Sequence, residues 1–278
     1  MQSGNIIHTA HLFPLLDEKL ISLLRSLTPE EWKKSTIAKL WTVKDIASHL
    51  LDTNIRTISL ARDQHRIEPD RAINSYHDLV EYLNQLNADW VKATKRMSPQ
   101  VLTDLLEITG KQCSGYWQQI DLFADAIFSV AWAGEQTSMN WFHVAREYTE
   151  KFIHQQQIRE AVGKQELFTK ELFYPFIDTF MRALPYTYRS TDAETGTTVQ
   201  VTVSSDIGGD WFVNKQEAEW VLANEIENKV AARVIIDPQT AWKLFSKGIT
   251  PAEARKKVTI NENETLGEVA LTMLSVMA

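Results

Sequence analysis

Glu150 and His154 stand four residues apart in a stretch whose apolar residues recur at helical spacing. On an α-helix that interval stacks two side chains on one face, so both can close on one ion. Far earlier in the chain, His49 would complete a set of two nitrogens and one carboxylate oxygen. Such a set suits a first-row divalent metal, zinc first and nickel second. Three protein ligands leave a fourth position open, which is the catalytic rather than the structural pattern. A vacancy of that kind takes water or a thiol and lowers the pKa of whichever it holds. Cys113 is the only cysteine and lies outside these motifs, so a thiol reaching the site would come from a small molecule.

Two helices must carry these residues. The run Trp41-Thr42-Val43-Lys44-Asp45-Ile46 reads as a helix start: Thr42 caps, Asp45 reaches back, and Trp41 packs on Ile46 as a hydrophobic staple. His49 then falls in the second turn. The other helix spans Ser138 to Val162, with Gly163 as its stop. On it His143, Glu147, Glu150 and His154 form one narrow stripe opposite Trp141, Ala145, Tyr148 and Phe152. A polar stripe by itself is ordinarily a solvated face. This one holds only His and Glu, with Arg146 and Lys151 on its flanks rather than at pairing distance along it. For the first helix, Val43, Ala47, Leu50, Leu51 and Ile58 define the buried side, and Asp45, His49, Asp52 and Arg56 share the far one. Periodicity therefore predicts an exposed His49. A metal site needs the two polar faces to turn toward a cleft at the side or end of the bundle, roofed by a second domain.

The remaining pattern divides the chain into two halves. Leu12, Leu15, Leu16, Leu20, Leu23, Leu24 and Leu27 make a helical stripe, and further helices are expected over Tyr76 to Met97 and Gly115 to Trp132. Four long helices suggest a bundle. Phe168 to Leu184 still reads as helix despite Pro175, after which the period changes. Thr197 to Val203, Val230 to Ile236 and Val258 to Ile260 are rich in β-branched residues and read as strands. Short helices start at Asp237-Pro238 and Thr250-Pro251, and a closing helix is expected from Leu266 to Met277. The expected fold class is α + (α+β): a four-helix bundle over residues 1–165 and a smaller α+β domain over residues 166–278. No internal repeat is present.

A formal charge of −7 and a pI near 5.6 leave no basic excess to neutralise phosphates, so a general nucleic-acid partner is not expected. With one cysteine no intrachain disulfide can form. Met1 to His11 lacks a basic segment followed by an apolar run, and no stretch has the ~20 apolar residues of a membrane span. A cytoplasmic protein without a membrane partner is the expectation.

Trp41-Thr42-Val43-Lys44-Asp45-Ile46-Ala47-Ser48-His49-Leu50 resembles the tryptophan-led helix start of the mycothiol-dependent maleylpyruvate isomerase family, within the DinB-like superfamily. Glu150-Lys151-Phe152-Ile153-His154, followed by Ala161-Val162-Gly163, is similar to that family's Glu-x-x-x-His motif before an Ala-x-Gly helix end. The resemblance spans the chain: a DinB-like bundle first, then a segment from Trp211 to Ala278 similar to sterol-carrier domains. It implies that His49, Glu150 and His154 bind zinc. It also implies a low-molecular-weight thiol as cosubstrate and a small electrophilic substrate, hence isomerisation or S-transfer. Two departures stand out. Gln157 occupies the place of a family aspartate three residues after the second histidine, and the arginine that the family supplies from its C-terminal domain has only Arg233 and Arg255 as candidates. The alternative is a non-catalytic metal-binding protein or a carrier of apolar ligands, lined by Phe173, Tyr174, Phe176, Phe180, Trp211, Trp220 and Trp242.

Overall fold

The computed structural model describes residues 6–223 and 229–276. Outside the described residues lie 1–5, within the stretch Met1 to His11, and 224–228 and 277–278, within the segment Trp211 to Ala278; the expected end of the closing helix at Met277 is among them. The chain packs into two compact units, one of residues 9–122 and 150–166, the other of residues 6–8, 123–149 and 167–276. The division expected near residue 165 follows chain order, whereas packing also places residues 123–149 with the C-terminal elements. Contacts within that second unit show why: Tyr148 donates its hydroxyl to Leu172 O at 2.8 Å, and the Trp132 ring meets Phe180 edge-on.

The first unit is built on α1 (Phe13–Arg25), α2 (Val43–Arg56), α3 (Tyr76–Thr94), α4 (Pro99–Trp117) and the C-terminal part of α5 (Asn140–Val162). The start of α2 is the expected capping box: Asp45 N–H donates to Thr42 Oγ1 and Thr42 N–H to Asp45 Oδ2. Trp41 packs against the cluster that contains Ile46. Gly163, at φ +72°, ends α5 in the left-handed conformation glycine tolerates best, and Lys164 N–H returns to Arg159 O at 2.9 Å. Leu20 and Leu24 of α1, Val43 and Leu50 of α2, Leu102 and Leu106 of α4, and Ile158 of α5 share one core. Against the opposite edge of α2 lies α3, held by Trp90 Nε1 donating to Ser48 O at 2.8 Å.

The helix expected over Gly115 to Trp132 is not formed. Its place is taken by α4, which starts earlier at Ser98-Pro99, where Ser98 Oγ accepts from Val101 N–H. Residues 118–139 are mostly irregular because their backbone groups bond elsewhere. Ala126 N–H donates to Ser138 O, Asn140 N–H to Ala124 O, and Val130 N–H to Ser138 Oγ. Tertiary pairing there overrides the apolar run that reads as helix.

In the second unit α6 (Lys170–Met181) and α7 (Leu184–Tyr188) precede a five-stranded sheet of order β3-β2-β1-β4-β5. Its strands are β1 (Thr198–Val203), β2 (Gly209–Lys215), β3 (Trp220–Ala223), β4 (Val230–Ile236) and β5 (Thr259–Glu262). β1 and β4 pair in parallel and every other neighbour is antiparallel. Val199, Val201 and Val203 alternate inward, as do Val230, Ala232, Val234 and Ile236. β2 and β3 escaped the sequence reading, although Trp211 and Val213 carry the same two-residue alternation. The short α8 (Pro238–Phe245) and α9 (Pro251–Arg255) start at the expected caps, Asp237 and Thr250. The closing helix is shorter than expected: α10 (Glu264–Glu268) passes into a 3-10 turn, then Ser275 N–H bonds Phe245 O at 3.0 Å and its hydroxyl bonds Phe180 O. Phe173, Phe176, Phe180 and Trp242 are fully buried, and successive phenylalanine rings touch at 5.7 and 4.5 Å. These aromatics fill the unit's core. No helix among the described residues is long and apolar enough to cross a membrane.

One ion pair fixes α5 against α1. Lys151 Nζ lies 2.5 Å from Asp17 Oδ1, both side chains largely buried, and Ser114 Oγ donates to Asp17 Oδ2 at 2.8 Å. Gly110 makes this possible, since a Cβ there would stand 3.0 Å from the Asp17 carboxyl carbon. Removing one partner of a buried pair strands the other's charge. Lys151→Met is accordingly expected to lower the unfolding free energy by about 3 kcal/mol, read from the midpoint of urea denaturation.

Candidate metal centre

Each of His49, Glu150 and His154 offers one ligand atom, and these atoms lie within 4.8 Å of one another. His154 Nε2 is 3.4 Å from Glu150 Oε2. The two imidazoles meet nearly edge to face, centroids 4.6 Å apart, and the Trp41 ring stands 4.9 Å from His49 and 6.3 Å from His154. Tetrahedral ligands at ~2.1 Å from an ion are about 3.4 Å from each other. The Glu150–His154 pair already has that spacing, and small side-chain rotations would bring His49 to it.

His49 is not on the surface that its periodicity predicts; it is only 5% exposed. The polar face of α2 is covered by the Glu150–His154 face of α5 and by Trp41, so a polar stripe here marks a contact between two polar faces. The same correction applies to α5 itself. His143 is buried, while Glu147, Glu150 and His154 are half-buried.

Electrostatics keep His49 uncharged. His49 is held well below the ordinary histidine range, first by burial, then by the neighbouring His154 and by Arg56. It is therefore a neutral ring, as a metal ligand must be. Its Nδ1 is buried without a hydrogen-bond partner. A buried polar atom left unbonded is costly unless something fills the need. On His154, Nδ1 lies 2.9 Å from Gln157 Oε1. An amide oxygen only accepts, so this contact favours the tautomer with the proton on Nδ1, which leaves Nε2 as the donor atom beside Glu150. Gln157 thus occupies the second-sphere place expected for an aspartate, as a neutral acceptor.

The far sides of both helices explain the placement. Lys151, Gln155 and Arg159 recur every four residues on α5 and hold α1: Lys151 pairs with Asp17, Gln155 Nε2 donates to Leu16 O at 3.1 Å, and Arg159 Nη2 to Lys19 O at 3.0 Å. α2 is anchored by Asn54 Nδ2 donating to Thr109 Oγ1, Cys113 Sγ to Asn54 O, and a short contact between the Ser48 and Thr94 hydroxyls. What remains free to face α2 on α5 is the edge with Glu150, His154 and Gln157.

His143 and Glu147 do not join the triad. They lie in the second unit, where Arg146 Nη2 is 2.9 Å from His143 Nδ1 and 2.5 Å from Glu147 Oε1. Of the C-terminal arginines, Arg233 donates from Nε to Gln200 Oε1 on β1, and Arg255 is forked onto Glu264 and Glu268. Both are engaged in holding the α+β unit together. Arg56 and Gln157, which the sequence marked only as a helix-face residue and a departure from a motif, are the polar side chains that bear on the triad.

Fold and site together define a helical bundle with a candidate His-Glu-His metal centre, joined in one chain to an α+β unit. Residues 13–159 match the family model described as the mycothiol maleylpyruvate isomerase N-terminal domain, more than half of the chain, and the protein belongs to that family. Two solved structures share the fold over 93% of both chains: a histidine-to-alanine mutant of the mycothiol-dependent maleylpyruvate isomerase, with a TM-score of 0.56 at 11% identity, and that enzyme itself, with 0.55 at 12%. No curated protein matches.

Two measurements probe this region. Gln157→Leu is expected to weaken zinc binding by about 10- to 100-fold, measured by competition with a chromogenic chelator, because His154 loses the acceptor that fixes its tautomer. His143, pushed down to about 3 by burial and then by Arg146, stays neutral in the folded protein where the unfolded chain would protonate it. Stability is thus complete above about pH 6.5 and is lost as pH falls toward 3, with a slope of up to about 1.4 kcal/mol per unit from this residue. In His143→Gln the acid side of the stability profile should be shallower by that amount.

Proposed function

We propose that this protein is a metal-dependent enzyme of the maleylpyruvate isomerase type, in which His49, Glu150 and His154 hold zinc or nickel and a low-molecular-weight thiol acts on a small electrophile. The observation that carries the reading is the convergence, from two distant helices, of two imidazoles and a carboxylate, one of the imidazoles buried, neutral and with an unbonded nitrogen. When bound, a divalent ion with an open position lowers the pKa of a thiol and supplies a thiolate at neutral pH.

The chain's own residues have defined parts. His49 and His154 donate without adding charge, and Glu150 contributes one negative charge, so the centre keeps a net positive charge for an anionic nucleophile. Gln157 keeps the proton of His154 on Nδ1, away from the site. Trp41 packs its ring beside both imidazoles and limits how far they can turn. Cys113 cannot serve as the nucleophile, being buried and bonded to Asn54 O. The thiol is therefore a cosubstrate. Its addition to an activated double bond, rotation about the resulting single bond and elimination would regenerate the thiol and isomerise the substrate; displacement of a leaving group would end instead at the thioether. Such a thiol pool belongs to the reducing cytoplasm, which is the proposed compartment.

Protein purified without chelator should contain about one zinc or nickel ion per chain by elemental analysis, and His49→Ala and His154→Ala should each lose most of it. Maleylpyruvate turnover should require both the metal and a thiol drawn from a panel of cellular thiols. Metal-free wild type would sink the metal assignment; turnover that continues without thiol would sink the mechanism.

A further inference from the structure

On α2, the residue seven positions after His49 is Arg56. Seven residues at 100° each return to within about 20° of the same azimuth, so the two side chains stand on one face, two turns apart. Helical side chains lean toward the N-terminus, which here is toward His49. The contact Arg56 makes agrees with that direction. Its Nε lies 3.1 Å from Oδ2 of Asp52, the residue one turn nearer His49, and Asp52 is only 8% exposed.

The pairing leaves most of the guanidinium unused. Nε meets Asp52 at ion-pair distance but without hydrogen-bond alignment, and neither Nη makes a hydrogen bond among the described residues. By contrast, Arg25, Arg62 and Arg159 of the same unit all donate to a carboxylate, an amide or a carbonyl. The Arg56 side chain keeps 40% of its surface exposed, enough to meet a solute. A planar fork with free donors beside a metal centre matches the geometry of a carboxylate.

We propose that Arg56 is the residue that binds a carboxylate of the electrophilic substrate beside the His49–Glu150–His154 centre. The inference rests on the metal and thiol reading above. Asp52 holds the guanidinium near the centre through Nε and leaves both Nη groups for the two carboxylate oxygens. The substrate would then sit with one end on Arg56 and its reactive carbon toward the open metal position.

The test uses the full chain, with metal content measured on every sample. Maleate, a dicarboxylate that lacks the reactive ketone, is titrated calorimetrically into wild type, Arg56→Gln and Arg56→Lys. A parallel arm uses S-methylglutathione, whose carboxylates belong to a thiol-like molecule with no free sulfhydryl. Maleamide serves as the uncharged control. Wild type should bind maleate better than maleamide, and Arg56→Gln should weaken maleate by about tenfold or more with metal content unchanged. Arg56→Lys, which keeps the charge but not the fork, should fall between. Maleate binding within twofold of wild type in metal-loaded Arg56→Gln overturns the proposal, as does an Arg56 dependence confined to the S-methylglutathione arm. Should Arg56→Gln fail to fold, Arg56→Lys decides: wild-type maleate affinity in it overturns bidentate recognition. Wild type purified without metal would overturn the metal assignment instead, and Arg56 would still be judged by whether its substitution changes maleate binding.

Discussion

A helix buried on nearly every side cannot leave its polar groups to water, and α5 is such a helix. Between Thr149 and Arg159 it buries a threonine, a lysine, three glutamines and an arginine along with Phe152, Ile153 and Ile158. Each buried polar group needs a partner or carries a penalty of order 1–3 kcal/mol. On one side the need is met by α1, through Asp17 and the carbonyls of Leu16 and Lys19. These directional contacts fix the rotation of α5 as well as its position. With that rotation set, Glu150 and His154 have a single place to go, against His49 on α2. The placement of the candidate centre thus depends on a lysine, a glutamine and an arginine whose contacts are to α1.

This constraint also explains what could be read from the sequence. The two helices that carry the candidate ligands were legible because their ends are encoded locally, in the Thr42–Asp45 capping box and the Gly163 stop. The Glu150–His154 pair was legible from spacing alone. His49 was not, since a helical wheel treats every polar face as a wet one and contains no term for a second polar face lying on it. Resemblance to a family supplied that missing contact. The helix misplaced over Gly115 to Trp132 failed for a related reason: Ala126, Val130 and Asn140 satisfy their N–H groups across a turn, which no helical periodicity records. β2 turns only Trp211 and Val213 inward and β3 only Trp220, too little alternation to mark either as a strand.

Gln157 changes the character of the centre as well as its motif. A carboxylate against His154 Nδ1 would add negative charge next to the proposed ion and raise the basicity of the ligand; an amide oxygen fixes the same tautomer without either effect. Two neutral imidazoles, one carboxylate and a neutral second-sphere group leave a divalent ion with a net single positive charge. A more electron-poor centre holds a thiolate more tightly and depresses the pKa of its thiol further. Glutamine in place of the aspartate would, on this argument, change the strength of the proposed centre without removing a ligand from it.

Charge on the larger scale points the same way. The chain carries a formal charge of −7, so its average field repels small anions. An anionic substrate of the proposed kind would have to be drawn by a local field, and the α2–α5 face would provide one: the proposed metal is incompletely neutralised, and among the described residues Arg56 has only the buried Asp52 as counter-ion. In a half-buried site such a field is screened less than at an open surface. The same arrangement disfavours cationic or neutral competitors, which gain nothing from Arg56 and leave its donors unpaired. Selectivity for an anionic electrophile would then arise from α2 itself, the helix that also presents His49, so that recognition and activation share one rigid element.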